Sequence, residues 1–240
     1  MIMASNPLIL PKSESWKMFD QISGRYDFLN RVLSLGQDVV WRKKLLQFVP
    51  DRRAQKLLDL AAGTGDVLIT LLESNPNIQT AVGVDMAEEM LKIGRAKIEK
   101  KNLESKVVLQ KGDAQHLPFV DGSFDLLTIA FGIRNIPDLR LAMMEMYRVL
   151  KPGGRVLILE FSRPPNVFLR LGHIFYLRFI VPSVGFIFSG HYRAYKYLNQ
   201  TVEQFPYGDR FCKIIKQMGF KNVQAYPLMG GVATIYAGDK

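Results

Sequence analysis

The residues of this chain best suited to chemistry stand at the ends of short apolar runs. Residues 56–61 (K-L-L-D-L-A) lead straight into D-L-A-A-G-T-G-D, Asp59 to Asp66. Gly63 and Gly65 there would let the backbone approach a ligand at the start of the following helix. Asp85 ends the next run 20 residues after Gly65, where a carboxylate would hydrogen-bond ribose hydroxyls. A dinucleotide fingerprint needs a third glycine three residues after the second, for close helix–strand packing, but Leu68 stands there, which disfavours NAD. No G-x-x-x-x-G-K-[ST] is present to bind ATP by a P-loop. The third run ends in K-G-D-A-Q-H-L-P-F, residues 111–119. Asp113 can accept from an adenine amino group there, while the backbone of Ala114 reads the ring edge. A carboxylate at Asp59, a short glycine turn without the length to cradle phosphates, and Asp85 suit a nucleoside without pyrophosphate, which points to S-adenosylmethionine. The plainer alternative is that Gly63 and Gly65 only make a tight turn and Asp113 only a loop.

Such residues need strands to deliver them to one edge. Apolar runs at 56–61, 80–85, 107–111, 124–130 and 155–160 read as strands, and helical spacing marks 66–73, 88–101 and 139–150. The last of these helices stops at Lys151-Pro-Gly-Gly, because proline cannot continue a helix and glycine permits the turn. Unbroken apolar strands alternating with helices predict an α/β fold, a doubly wound, mostly parallel sheet covered on both faces. A helix at 205–218 and strands at 220–227 and 231–237 would add an antiparallel pair. The 240 residues read as a single domain. Residues 1–56 form a helical lead, 57–162 the nucleoside-binding core, 163–204 a cap insertion, and 205–240 the closing helix and strands.

Hydrophobic residues make up 48% of the chain and charged residues 22%, which is enough for a packed core. The single cysteine, Cys212, excludes an intramolecular disulfide and a cysteine-based zinc site. It leaves a reducing compartment as the default. The net charge of +10 is unevenly placed: +5 over residues 1–56, −2 over 57–162 and +7 over 163–204 and the tail to 240. Nucleic acid, an anionic membrane surface or a merely solvated basic surface would each account for that. Residues 1–12 lack the charged region of a signal peptide and the arginine-rich look of a transit peptide. The most apolar window, 167–189, is long enough to span a bilayer, but Arg170 and Arg178 would each cost about 2.5–3.5 kcal/mol near its centre. Pro182 and Gly185 interrupt it further. It reads as a segment lying on an interface or lining an apolar substrate channel, with a buried cap helix as the alternative.

Several longer stretches resemble the ubiquinone/menaquinone biosynthesis C-methyltransferases over nearly the whole chain. Y-D-F-L-N-R-V-L-S-L-G-Q-D-V-V-W, Tyr26 to Trp41, is similar to that family's N-terminal signature, except that Asp38 stands where a histidine is usual. R-V-L-K-P-G-G-R-V-L-I-L-E-F-S, Arg148 to Ser162, matches its second signature throughout. F-G-I-R-N-I-P-D, Phe131 to Asp138, and the ending M-G-F-K-N-V-Q…G-G-V-A-T-I-Y-A-G-D-K are also family-like. The resemblance implies a Rossmann-like class I methyltransferase in which Thr64, Asp85, Asp113 and Ala114 contact S-adenosylmethionine. A family serine just before F-G-x-R-N is Ala130 here, a loss of one hydroxyl hydrogen bond worth about 0.5–1.5 kcal/mol.

The implied reaction is methyl transfer to a ring carbon of a polyprenylated quinol. A sulfonium is already an activated electrophile, so no metal is required, and the protein's task is mainly alignment and exclusion of water. The acceptor has to be the reduced quinol, because a phenolate pushes charge onto the neighbouring carbon and an oxidised quinone does not. Arg134, just past the fourth strand, is a candidate to stabilise phenolate charge, and Asn135 to orient the ring or a water. His116, His173 and His191 are the imidazoles available as bases. Tyr192, Tyr195 and Tyr197 are able to hold a phenol, though their density suits packing of the cap. A polyprenyl substrate stays in the bilayer, so residues 167–189 and 31–44 are expected to form a mouth on an anionic membrane. The protein would then be cytoplasmic and peripheral to the inner face of the membrane. Demethylmenaquinol is the first expectation, and a methoxy-polyprenyl-benzoquinol of the ubiquinone pathway is its near rival. An RNA methyltransferase and a non-enzymatic cofactor-binding protein are the remoter ones. No RNA-binding module is visible, so nucleic acid is not an expected partner. A homodimer is compatible with the sequence, which holds nothing to support it.

Overall fold

The computed structural model describes residues 10–189 and 192–240. Two helices lead the chain, α1 (Ser15–Leu33) and α2 (Gln37–Lys44). The core follows as β1 (Gln55–Leu60), α3 (Asp66–Ser74), β2 (Ile78–Asp85), α4 (Glu88–Lys100), β3 (Val107–Lys111), β4 (Phe124–Ala130), α5 (Leu139–Val149) and β5 (Leu150–Phe161). Helices α6 (Val167–Phe175), α7 (Val181–Ser189) and α8 (Tyr192–Gln204) form the cap, and a π-helical turn, Tyr176–Ile180, joins the first two. The chain closes with α9 (Asp209–Gln217), β6 (Lys221–Leu228) and β7 (Ala233–Asp239).

The seven strands make one sheet in the order β3-β2-β1-β4-β5-β7-β6. All pairings from β3 to β5 are parallel, and β7 runs antiparallel to both β5 and β6. Strands with helices on both faces must be apolar on both, and Leu57, Leu58, Leu60, Leu126, Leu127 and Ile129 are all buried. One cluster, with Met143, Met146, Phe211 and Ile215, packs α5 and α9 on one face. Another, with Leu68, Leu71, Leu91 and Ile98, packs α3 and α4 on the other. A third, small cluster (Ile22, Leu29, Leu177, Val181, Ala194, Val202) ties α1 to the cap. Side-chain caps fix two helix starts. Asp138 accepts from the Leu141 N–H at 2.9 Å, and Asn166 from the N–H groups of Phe168 and Leu169 at 3.0 and 3.1 Å.

Two sequence expectations need correction. Lys151-Pro-Gly-Gly does end the preceding helix, but the strand is longer than 155–160. Leu150 already pairs with Phe124, and pairing resumes at Arg155 with Leu126, so the intervening residues bulge from the ladder. The last helix begins at Asp209 and not at 205. Phe205 still bonds back to Thr201 at the end of α8, and Gly208 (φ +58°, ψ −136°) turns the chain between the two helices.

Candidate active site

The order of strands reverses between β1 and β4, and a crevice at their carboxyl ends is where an open α/β sheet holds its ligand. Both strands end on a left-handed residue, Ala61 (φ +50°) and Phe131 (φ +57°). Gly63 (φ +52°) and Gly65 (φ +79°) complete the turn, and Gly65 caps α3. Leu68, at the place of a third glycine, is accommodated by Gly83 of β2, where a Cβ would lie 2.7 Å from Leu68 Cδ1, and Gly94 brings α4 close to the glycine turn. A Cβ on Gly94 would lie 2.7 Å from Leu109 Cδ1 and 3.3 Å from the Thr64 carbonyl carbon.

A cavity of about 170 Å³ sits on this turn, lined by Gly63, Asp85, Asp113, Ala114 and Ala130, and roofed by Trp16 and Phe19 of α1. Asp85 accepts the Gly63 N–H on Oδ2 and the Ala87 N–H on Oδ1, both at 2.8 Å. Enclosure pushes its carboxyl up, and those N–H groups hold it back. Each oxygen keeps a lone pair for a further donor. Asp113 is oriented by the Gln115 N–H at 2.9 Å and by Gln115 Nε2 at 3.1 and 3.0 Å from its two oxygens. Two separated carboxylates, a small-residue turn and a bare backbone edge at Ala114 form an acceptor set that fits the ribose and adenine of an adenosyl group. Asp59, Thr64 and Gly65 are not on the lining, and Asp59 is buried in the sheet against the Thr128 hydroxyl. The Thr64 hydroxyl instead donates to Asp27 Oδ1 at 2.7 Å and accepts from Lys97 Nζ at 2.9 Å. Lys97 also pairs with Asp27 and Asp66, each at 2.6 Å, so the lead helix is clasped to the back of the turn. Asp38 belongs to the same seam. It is buried, pairs with Arg42 at 2.6 Å and accepts the Ser34 hydroxyl at 2.9 Å.

A second cavity, about 450 Å³ and mostly apolar, lies beyond the first, within the range of about 300–1,000 Å³ usual for ligand pockets. Phe19, Tyr26, Phe131 and Asn135 line both cavities, so the two share a wall. Trp41, Phe131 and Phe161 form an aromatic flank, with ring centroids 4.7–6.2 Å apart. Arg134 and Asn135, on the 3₁₀ turn Ile133–Asn135, are brought together at this junction. Arg134 is buried and fixed. Its Nη1 donates to Glu160 Oε1 at 2.6 Å and to the Phe131 carbonyl at 2.5 Å, and the guanidinium stacks over Phe161 at 5.3 Å. Glu160 is fully buried and also accepts the Phe161 N–H at 2.8 Å. Burial pushes its carboxyl up, and Arg134 with the Phe161 N–H pulls it back. Donors face both carboxylate oxygens, Arg134's own N–H being at 3.4 Å, so we assign the anion.

Sequence reasoning missed Glu160, Gln115 and the Asp27–Lys97 clasp. A glutamate closing the otherwise apolar run V-L-I-L-E was the one available signal among them. Of the histidines, His116 is exposed beside Asp113, and His173 lines the large cavity, where burial and then Arg163 lower its pKa. His191 and the side chains of Tyr192 and Tyr195 lie outside the described residues, as do residues 1–9 of the N-terminal reading. Tyr197 is buried and lines the large cavity. The segments 31–44 and 167–189 face each other across this cavity, through Leu33, Leu35 and Trp41 on one side and Phe168, Leu169 and Tyr176 on the other. Among the described residues one helical run, Val167–Gly185, is long and apolar enough to cross a membrane. Phe168 is 84% exposed, Leu35 79% and Leu171 60%.

A model of a known family, described as the ubiE/COQ5 methyltransferase family, matches residues 11–240. The ubiquinone/menaquinone biosynthesis C-methyltransferase UbiE of Geotalea daltonii is 44% identical over 228 residues, covering 93% of this chain and 95% of that protein. The demethylmenaquinone methyltransferase of Thermus thermophilus is 42% identical over 223 residues, covering 93% and 100%. Among solved structures, a SAM-dependent methyltransferase of Thermotoga maritima matches with a TM-score of 0.65 at 19% identity, over 94% of this chain and 99% of that one. Phosphoethanolamine N-methyltransferase 2 of Haemonchus contortus, in complex with S-adenosyl-L-methionine, matches with a TM-score of 0.62 at 18% identity, over 85% and 52%. At such identities these structures speak to the fold alone, a Rossmann-like class I methyltransferase.

Proposed function

The chain belongs to the ubiE/COQ5 methyltransferase family, and we propose from that premise that it methylates a ring carbon of a polyprenylated quinol, converting demethylmenaquinol to menaquinol. It is an S-adenosylmethionine-dependent methyltransferase of quinone biosynthesis. The observation that carries the specific reading is the shared wall: a cavity that holds the Asp85 and Asp113 carboxylates opens beside an apolar, aromatic-flanked one at Asn135.

When bound, S-adenosylmethionine supplies an electrophilic methyl group on a sulfonium. Asp85 holds the ribose hydroxyls, and Asp113, aligned by Gln115, accepts from the adenine amino group beside Ala114. Gly63 and Gly65 keep side chains out of that approach, while Thr64 acts from behind the turn through Asp27 and Lys97. The aromatic flank of Trp41, Phe131 and Phe161 stacks the acceptor ring, and α1 with the cap excludes water. Arg134, neutralised and unable to swing because Glu160 holds it, keeps a fixed N–H donor where phenolate charge develops. His173, neutral in its apolar setting, is the described imidazole able to take the phenol proton. Residues 1–56 and 163–204 thus enclose the acceptor, and 57–162 holds the cofactor.

The name of the Thermus relative supports the naphthoquinol, and the name of the Geotalea relative keeps the ubiquinone-pathway benzoquinol as a second reading. Labelled methyl transfer to chemically reduced demethylmenaquinone, with the oxidised quinone and a reduced benzoquinol alongside, tests both. Label in menaquinol alone is the expected result, label in both quinols would mean a dual-pathway enzyme, and label in neither would overturn the quinol reading. Exposed Leu35, Phe168 and Leu169 on the cavity lining, with exposed Lys43 and Lys44 nearby in sequence, support docking on an anionic bilayer from the cytoplasmic side. Flotation with anionic liposomes at low salt is expected, and protein left at the bottom of the gradient would refute the docking.

A further inference from the structure

Five buried side-chain polar atoms among the described residues have no hydrogen-bond partner in the protein, and three belong to the lining of the large cavity: Arg134 Nε, Asn135 Oδ1 and the Tyr197 hydroxyl. Native folds leave very few such atoms unpaired, because each one buried without a partner is costly. Three on one otherwise apolar cavity point to a polar group that enters from outside. Their chemistry is specific. Arg134 Nε only donates, and its direction is set because Nη1 is anchored on Glu160 and the Phe131 carbonyl. Asn135 Oδ1 only accepts. Tyr197 comes from a different element, on the face of α8 that also presents Ala194 and Leu198 to the cavity. Ser15 stands close to it, its own proton given to the Lys12 carbonyl at 2.8 Å, but the Tyr197 hydroxyl itself has no partner within hydrogen-bonding geometry. Burial raises the phenol's pKa, so it stays protonated and is a donor at neutral pH.

We propose that Tyr197 is a substrate-binding residue whose hydroxyl donates, together with Arg134 Nε, to one ring oxygen of the reduced quinol, while Asn135 Oδ1 accepts a hydrogen bond from that oxygen's own O–H. This deepens the quinol reading above and rests on it. Two donors and one acceptor match a hydroxyl group. The same site reads the redox state of the ring, since a quinone carbonyl has no proton for Asn135 and sets oxygen against oxygen. When the proton of that hydroxyl passes to His173, the imidazole on the same cavity, both donors strengthen on the phenolate left behind.

The test is Tyr197→Phe, which removes one oxygen and no packing volume that Phe does not fill. With reduced demethylmenaquinone, kcat/KM is expected to fall by about tenfold, at unchanged cofactor affinity and thermal midpoint. Calorimetric binding of two prenylated naphthols, each lacking one of the two ring hydroxyls, separates contact from structure. The variant should lose about tenfold on one analogue and nothing on the other. A variant within twofold of the native chain on the quinol overturns the proposal, and so does an equal loss on both naphthols. Binding of oxidised and reduced menaquinone to the native protein needs no turnover, so it stands even if the native chain methylates no quinol. Tighter binding of the reduced form, lost in Asn135→Ala, supports the site, and equal affinities overturn it.

Discussion

Replacing Glu160 by glutamine keeps the shape of the side chain and removes only its charge. The side chain of Glu160 is 0% exposed and that of Arg134 5%, with Nη1 to Oε1 at 2.6 Å. In the variant a guanidinium that cannot shed its proton remains buried with an amide in place of its counter-ion. Breaking one side of a buried pair costs about 3–5 kcal/mol. Stacking of the guanidinium over Phe161 persists in both proteins and offsets nothing in the difference. For a chain of this size about 1 kcal/mol corresponds to roughly 2–4 °C. The thermal midpoint of Glu160→Gln should therefore fall by roughly 6–12 °C at the low end of that cost. Urea unfolding should show a lower midpoint at unchanged slope. Removing both partners, as Glu160→Leu with Arg134→Met, should recover most of the stability and none of the methyl transfer, because an apolar pair of similar size leaves no charge stranded. A Glu160→Gln protein as stable as the native chain would refute this account and mean that the carboxyl is protonated in the fold.

Asp59 is buried against the Thr128 hydroxyl at 2.6 Å, and burial pushes its pKa up to about 7. The folded chain therefore holds a proton that the unfolded chain has lost between about pH 4 and 7, and this group's contribution to stability falls as pH rises across that window, by about 4 kcal/mol in all. Asp59→Asn should match the native chain near pH 4 and exceed it at pH 8; urea midpoints at the two pH values check the crossing. Asp85→Asn leaves an acceptor for one backbone N–H but lacks a charge for the ribose, and hydrogen bonds to charged groups are worth about 1.5–3 kcal/mol. Its affinity for S-adenosylmethionine by calorimetry should drop by roughly 10–100-fold. Gly94→Ala puts a methyl group 2.7 Å from Leu109 Cδ1 and 3.3 Å from the Thr64 carbonyl carbon. The expected outcome is a loss of about 1–3 kcal/mol in denaturant unfolding, with weaker cofactor binding because the glycine turn must shift.

What the sequence made legible is what neighbouring residues decide among themselves. Val107–Lys111 lies between Lys106 and Gly112, and Phe124–Ala130 starts after the Asp121-Gly122-Ser123 turn and ends before Gly132, so local signals delimit both runs and the strands have the expected bounds. The turn at Gly63 and Gly65 is equally local, since only residues free to take positive φ make it. The misreadings came where distant pairing overrode the local signal. Phe124 recruits Leu150 into the ladder before the bulge, and nothing near Leu150 in sequence announces that partner. Four residues, Phe205 to Gly208, separate α8 from α9 in a stretch whose apolar spacing runs on through Phe211, and the turn is held by the distant Tyr236, whose hydroxyl accepts the Gly208 N–H at 2.8 Å.

The site divides along the same line, and the division bears on how it works. Asp85 and Asp113 could be placed from sequence because each ends its own strand at the edge where ligands bind. Arg134 could be placed too, but not its state. Read alone it was a free charge for the phenolate. With Glu160, 26 residues on, it becomes a fixed dipole with a buried, unpaired donor at Nε. That distinction changes the chemistry expected of it. A free guanidinium would bind any anion reaching the cavity, whereas a neutralised and immobilised one favours charge only as it develops on an oxygen held in line with Nε. Asn135 and Tyr197 supply the means of holding it, one from the same turn and one from the cap, so the acceptor's orientation depends on the cap being folded over the core. Tyr197→Phe and Glu160→Gln should accordingly fail in different ways. The first weakens the grip on the ring oxygen in a stable protein, and the second loosens the whole junction. Indistinguishable losses of stability and kcat/KM in the two variants would mean that Arg134 and Tyr197 only pack this wall.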